Sequence, residues 1–179
     1  MNNLIFVDTK TVIQSLRVVK PGKEILSVNK LQKTGIMKNT PSSKPTICLA
    51  DDDPDDREML LEAFEKLTDR YHIKTVINGK ELLELLSHMD DSELPCVIVL
   101  DYNMPGLNGK QILTYLQNTV RYRNIPKIIY STSNSLKDKN EFLAIGANEY
   151  LTKATYPRDI LNAARKMLSY CDNDIRKSA

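Results

Sequence analysis

Cysteine and histidine are scarce in this chain, and no long apolar run occurs in it. Its three cysteines, Cys48, Cys96 and Cys171, are odd in number and unrelated in spacing, so they outline no disulfide framework and fit a reducing compartment better. Cys48 and Cys96 sit inside apolar runs, where a thiol behaves as a small buried hydrophobe. The two histidines, His72 and His88, have no partners at metal-ligand spacing, so no zinc site is read. No window approaches the roughly 18 apolar residues of a membrane helix. The start, MNNLIFVDTK, has only the short run Leu4 to Val7 before Asp8 interrupts it, which is no secretory signal. Internal repeats and helix-turn-helix patterns are also missing. These absences predict a cytoplasmic protein with no membrane association.

What is present is enough for one sizeable core: 179 residues, 41% hydrophobic. The net charge of +2 hides an asymmetry. Residues 1–44 carry eight Lys/Arg against Asp8 and Glu24, whereas the rest has 17 basic and 21 acidic residues. The basic residues are scattered rather than blocked, so direct nucleic-acid binding is not expected. KNTPSSKPT reads as a linker. Residues 1–44 are expected to form a disordered leader and linker, with a functional start at Met37 equally open. Pairing of LIFVD and TVIQSLRVV as short strands is the competing view. Residues 45–170 are expected to form the domain, and 171–179 a tail.

From Pro45 onward, apolar runs alternate with amphipathic segments. Strands are predicted over 46–50, 72–78, 96–101, 127–133 and 148–153. Helices are predicted after Asp53-Pro54, then over 79–89, 108–120, 135–147 and 156–170. Five strand-then-helix repeats imply an α/β fold: a five-stranded parallel sheet with helices on both faces. Ligands of such sheets bind beyond the carboxyl ends of the strands. Those ends carry Asp51 and Asp52, Asp101, Ser131 and Lys153.

Three acids, one hydroxyl and one ammonium on one rim suit phosphoryl transfer onto a carboxylate. Clustered acids need a counter-charge, and an oxygen-rich, nitrogen-free site suits Mg²⁺. The cation would offset charge on a transferring phosphoryl group. Asp101 is the natural acceptor, because it ends the most apolar strand and leads into YNMPGLNG. Five aspartates crowd residues 51–56, and they divide. Asp53 is read as a helix N-cap followed by Pro54, and Asp55 and Asp56 as first-turn acids that favour the helix dipole.

LADDD, VIVLDYNMPGLNG, PKIIYSTS and GANEYLTK together resemble the receiver domain of two-component response regulators. The spacing, 30 residues from Asp101 to Ser131 and 22 more to Lys153, is similar to that of chemotaxis-type single-domain regulators. DDDPDDRE and DDSELP resemble stand-alone receivers paired with phytochrome-type or hybrid sensor kinases. The resemblance implies a flavodoxin-like (βα)5 fold with strand order 2-1-3-4-5. It implies Asp101 as phosphoacceptor, with Mg²⁺ held by Asp51, Asp52, Asp101 and the backbone carbonyl of Asn103. It further implies Ser131 as switch hydroxyl, Lys153 as the phosphate-pairing base, Tyr150 as switch aromatic and Gly109 as the close of the turn. The implied donor is a sensor histidine kinase or a histidine phosphotransfer protein, and a homodimer is left open. The chemistry is signalling rather than enzymatic, limited to Mg-dependent self-phosphorylation and self-dephosphorylation.

Two departures stand out. Ala154 follows Lys153 where the family usually has proline, often with a cis bond; a cis bond before alanine costs about 2.5–4 kcal/mol, and the isomer is left open. Ser131 replaces the commoner threonine, and Thr132 beside it offers a second hydroxyl. The rival readings are an aspartyl-phosphate hydrolase, which lacks its usual Gly-Thr after the acid pair, and a binding module that is never phosphorylated.

Overall fold

A computed structural model describes residues 44–177, with side chains to Asp172. Expectations for the leader lie outside the described residues. The elements run β1 (Thr46–Ala50), α1 (Pro54–Leu67), β2 (His72–Val76), α2 (Gly79–His88), a 3-10 turn (Asp91–Glu93), β3 (Val97–Leu100), α3 (Gly109–Asn118), β4 (Lys127–Ser131), α4 (Leu136–Ile145), β5 (Glu149–Thr152) and α5 (Pro157–Lys177). All strand pairs are parallel, in the order β2-β1-β3-β4-β5. The expected topology is the observed one.

Strand β3 is apolar throughout, and β1 and β4 are apolar between their ends, because both faces are covered. Cys48, Ala50, Ile98, Leu100 and Ile129 pack with Leu82, Leu86, Ile112, Leu116 and Phe142 of α2, α3 and α4. Their alternates Ile47, Leu49, Val97, Val99 and Ile128 pack with Leu60, Phe64, Ile160, Ala164 and Met167 of α1 and α5. Side-chain caps start the helices: Asn78 accepts from Glu81 N at 2.9 Å, and Asn108 from Gln111 N at 3.0 Å. Helix α4 stops at Gly146, whose φ of 118° is left-handed, the conformation that glycine adopts without strain. No helix among the described residues is long and apolar enough to cross a membrane.

Two expectations are corrected. Cys96 and Cys171 are joined in a disulfide across 75 residues of sequence, so Cys96 is not a free buried thiol and the cysteines do not support the reading of a reducing compartment. The fold puts the start of β3 beside α5, a proximity that spacing alone does not reveal. Cys48 alone remains a buried thiol, pushed up to about 12 by desolvation. Helix α5 also continues past Tyr170 to Lys177, with Cys171 fully buried at the first added position.

Lys127, fully buried at the start of β4, has no carboxylate partner among the described residues. Its ammonium donates to Gln117 Oε1 at 3.0 Å and to the Arg123 carbonyl at 2.8 Å. Desolvation lowers its pKa from 10.5 to about 8. The unfolded chain therefore holds more protons between those values, and stability should rise with pH there. Titrating unfolding from pH 8 to 10, wild type should gain about 2 kcal/mol relative to Lys127→Met, at 1.36 kcal/mol per pKa unit. Parallel pH profiles would refute this.

Candidate functional site

Backbone hydrogen bonds carry the sheet one step beyond the strands and fix the bases of the polar residues there. Asp51 N donates to Val76 O at 3.1 Å, Asp101 N to Ala50 O at 2.8 Å, and Lys153 N to Ser131 O at 2.7 Å. Asp51, Asp101 and Ser131 are buried, and the Lys153 side chain is 7% exposed. The rim read from the sequence is thus assembled in space, over strands that pair β1 with β3, β3 with β4 and β4 with β5.

Asp51, exposed Asp52 and Asp101 each place one carboxylate oxygen within 4.8 Å of the others. An all-oxygen donor set with no sulfur or imidazole fits a hard divalent cation such as Mg²⁺. Asn103 lies two residues past Asp101 in the exposed turn after β3. That turn is held against α3 by a close approach. A Cβ on Gly109 would lie 3.1 Å from both Asp101 O and Tyr102 Cα, which leaves little room for a side chain.

Lys153 supplies the local positive charge. Its Nζ is 2.7 Å from Asp56 Oδ2, 2.8 Å from Asp51 Oδ2 and 3.4 Å from Asp101 Oδ2. Burial works against its charge, but the bonds to Asp51 and Asp56 and the charge of Asp101 outweigh it and raise its pKa. Asp51 is also held above the usual carboxylate range. Desolvation outweighs the pull of Lys153 and the hydrogen bond from Asp53 N.

The division of the five aspartates needs one correction. Asp53 caps α1 as expected, accepting from Asp55 N at 2.9 Å and Asp56 N at 3.3 Å. Asp56 does more than favour the helix dipole, because it makes the shortest of the three Lys153 contacts. Sequence reading missed it because the partners are 97 residues apart. Arg57 was also missed; its Nη1 donates to Asp51 O at 2.6 Å and braces the loop that carries the acidic cluster.

Ser131 is fully buried, while Thr132 is exposed. Ser131 Oγ accepts from Ser133 N at 3.1 Å, and its own proton is not engaged in that bond. Tyr150 is turned inward beside Phe142, and its hydroxyl donates to Ser133 O at 2.9 Å. The Tyr150 hydroxyl and the Ser131 side chain thus both engage Ser133, one at its carbonyl and one at its amide. No cis peptide occurs among the described residues, so the bond before Ala154, which the sequence left open, is trans.

Comparisons with known proteins converge on one family. The profile of the response regulator receiver domain matches residues 47–165. An uncharacterized 14.6 kDa protein of Leptolyngbya boryana is 34% identical over 126 residues, covering 70% of this chain and 88% of its own. The response regulator RPA3017, in red light signaling of R. palustris, superposes with a TM-score of 0.62 at 30% identity, covering 68% of this chain and 90% of its own. The Mn(2+)-bound form of response regulator Rcp1 gives a TM-score of 0.62 at 23% identity, covering 70% and 92%, and speaks to the fold alone. With the profile spanning most of the sheet and every strand end that carries a polar site residue, the chain belongs to the receiver domain family of two-component response regulators.

Proposed function

We propose that Asp101 is the phosphoacceptor of a two-component relay and that the donor is a phosphohistidine. The observation that supports this best is a buried carboxylate 3.4 Å from a buried ammonium, within a three-carboxylate cluster. An Asp101 carboxylate oxygen would attack phosphorus, forming an O–P bond as the N–P bond breaks. The electron pair returns to the imidazole of a sensor histidine kinase or histidine phosphotransfer protein. Asp51, Asp52 and Asp101 would hold Mg²⁺, with the Asn103 carbonyl as a further oxygen donor. When bound, the cation supplies charge neutralisation for the transferring group. Lys153 pairs with a phosphoryl oxygen, and the Ser131 proton is free to donate to another.

The product then acts as a signal. Engagement of Ser131 by the phosphoryl group would alter the Ser131–Ser133–Tyr150 linkage and so the surface around β4 and β5. Turnover is confined to self-phosphorylation and self-dephosphorylation, in the cytoplasm where a kinase domain meets ATP. Acetyl phosphate with Mg²⁺ should add one phosphoryl group, labile to base and hydroxylamine as a mixed anhydride. Mass spectrometry of the intact chain checks this. A base-stable adduct, or none, would refute the assignment.

A further inference from the structure

One ammonium serves three carboxylates, and the one it approaches most closely is not on the sheet rim. Asp56 lies in the first turn of α1, with its side chain 25% exposed, and its Oδ2 is 2.7 Å from Lys153 Nζ. The Asp101 contact is the longest of the three, at 3.4 Å. A lysine reserved for a phosphoryl group on Asp101 would need no anchor in a helix. Neither helix capping nor the dipole requires Asp56 to reach Lys153, because Asp53 already accepts the first-turn amides.

Taking Asp101 as phosphoacceptor, we propose that Asp56 is a positioning residue that holds the Lys153 ammonium and competes with the phosphoryl group for it. A cation shared by several anions is less available to each. A metal on Asp51 and Asp101 would reduce the pull of those two carboxylates on Lys153. Asp56 would keep its own, and it becomes the restraint that a phosphoryl oxygen must overcome. Its strength thereby sets how readily the phosphorylated arrangement forms.

The test is the affinity of the Mg²⁺-saturated protein for beryllofluoride, a phosphoryl mimic, in wild type, Asp56→Asn and Asp55→Asn. Asp55 is the neighbouring first-turn acid and makes no ion pair among the described residues, so its substitution removes the same charge without touching Lys153. Asp56→Asn should tighten binding about two- to fivefold, the range for losing one partly exposed ion pair. Asp55→Asn should change it by less than half as much, and Asp56→Glu should return it toward wild type. In metal-free protein, the Lys153 side-chain ¹⁵N signal should move in Asp56→Asn and stay in Asp55→Asn. Equal effects of the two Asn variants, or weaker binding in Asp56→Asn, would overturn the proposal. If wild type binds no beryllofluoride, the phosphoacceptor assignment itself falls, and this inference with it.

Discussion

Asp101→Asn should take up no phosphoryl group from acetyl phosphate under conditions that label wild type fully. The loss is expected to be complete because an amide has no anionic oxygen with which to attack phosphorus. Other carboxylates stand close by, yet none shares its setting. Asp52 is exposed, Asp51 also accepts from Asp53 N, and Asp56 is tied to Lys153. The substitution keeps shape and volume, and the backbone bond from residue 101 to Ala50 O does not involve the side chain. The variant should therefore fold. Intact mass, with circular dichroism as the control, reads both outcomes. Stoichiometric label on a folded Asp101→Asn protein would sink the assignment. Label kept in Asp101→Asn but lost in an Asp51→Asn variant that still binds Mg²⁺ would favour the hydrolase reading, in which the first acid after β1 is the nucleophile.

The double variant Asp51→Asn/Asp52→Asn should lose most Mg²⁺ affinity and, with it, phosphorylation. Two of the three clustered carboxylates disappear, leaving Asp101 alone to offset the cation's desolvation. Stability should move the other way when metal is absent. Burial already raises the Asp51 pKa despite Lys153, so its charge is a net cost to the fold near neutral pH. The metal-free double variant should melt no lower than wild type, since Lys153 keeps Asp56 and Asp101. At magnesium about a hundredfold above its dissociation constant, wild type should gain about 2.7 kcal/mol, or about 5–10 °C. The variant should gain almost none of it. An equal magnesium shift in both proteins would place the metal elsewhere.

The legible parts of this protein are those written locally. Val97 to Leu100 announces a doubly covered strand by being apolar at every position, and Asp53-Pro54 announces a helix start by its capping chemistry. Strand ends locate Asp51, Asp101, Ser131 and Lys153 once a parallel sheet is inferred, because that topology gathers them on one rim. Contacts made through the fold were not legible. Asp56 reads as one more first-turn acid until β5 brings Lys153 beside it. Cys96 and Cys171 look unrelated until α5 lies against the start of β3. The extension of α5 was hidden because DNDIRK lacks the apolar period that marks the earlier turns.

That Cys96–Cys171 link also changes the covalent topology of the chain. It closes a ring that contains Asp101, Ser131 and Lys153 and leaves Asp51, Asp52 and Asp56 on the open arm before it. A protease that nicks the exposed turn after β3 therefore opens the ring without dividing the molecule. In denaturant, the piece with Asp101 and the piece with Lys153 then stay on one covalent body until a thiol reductant is added.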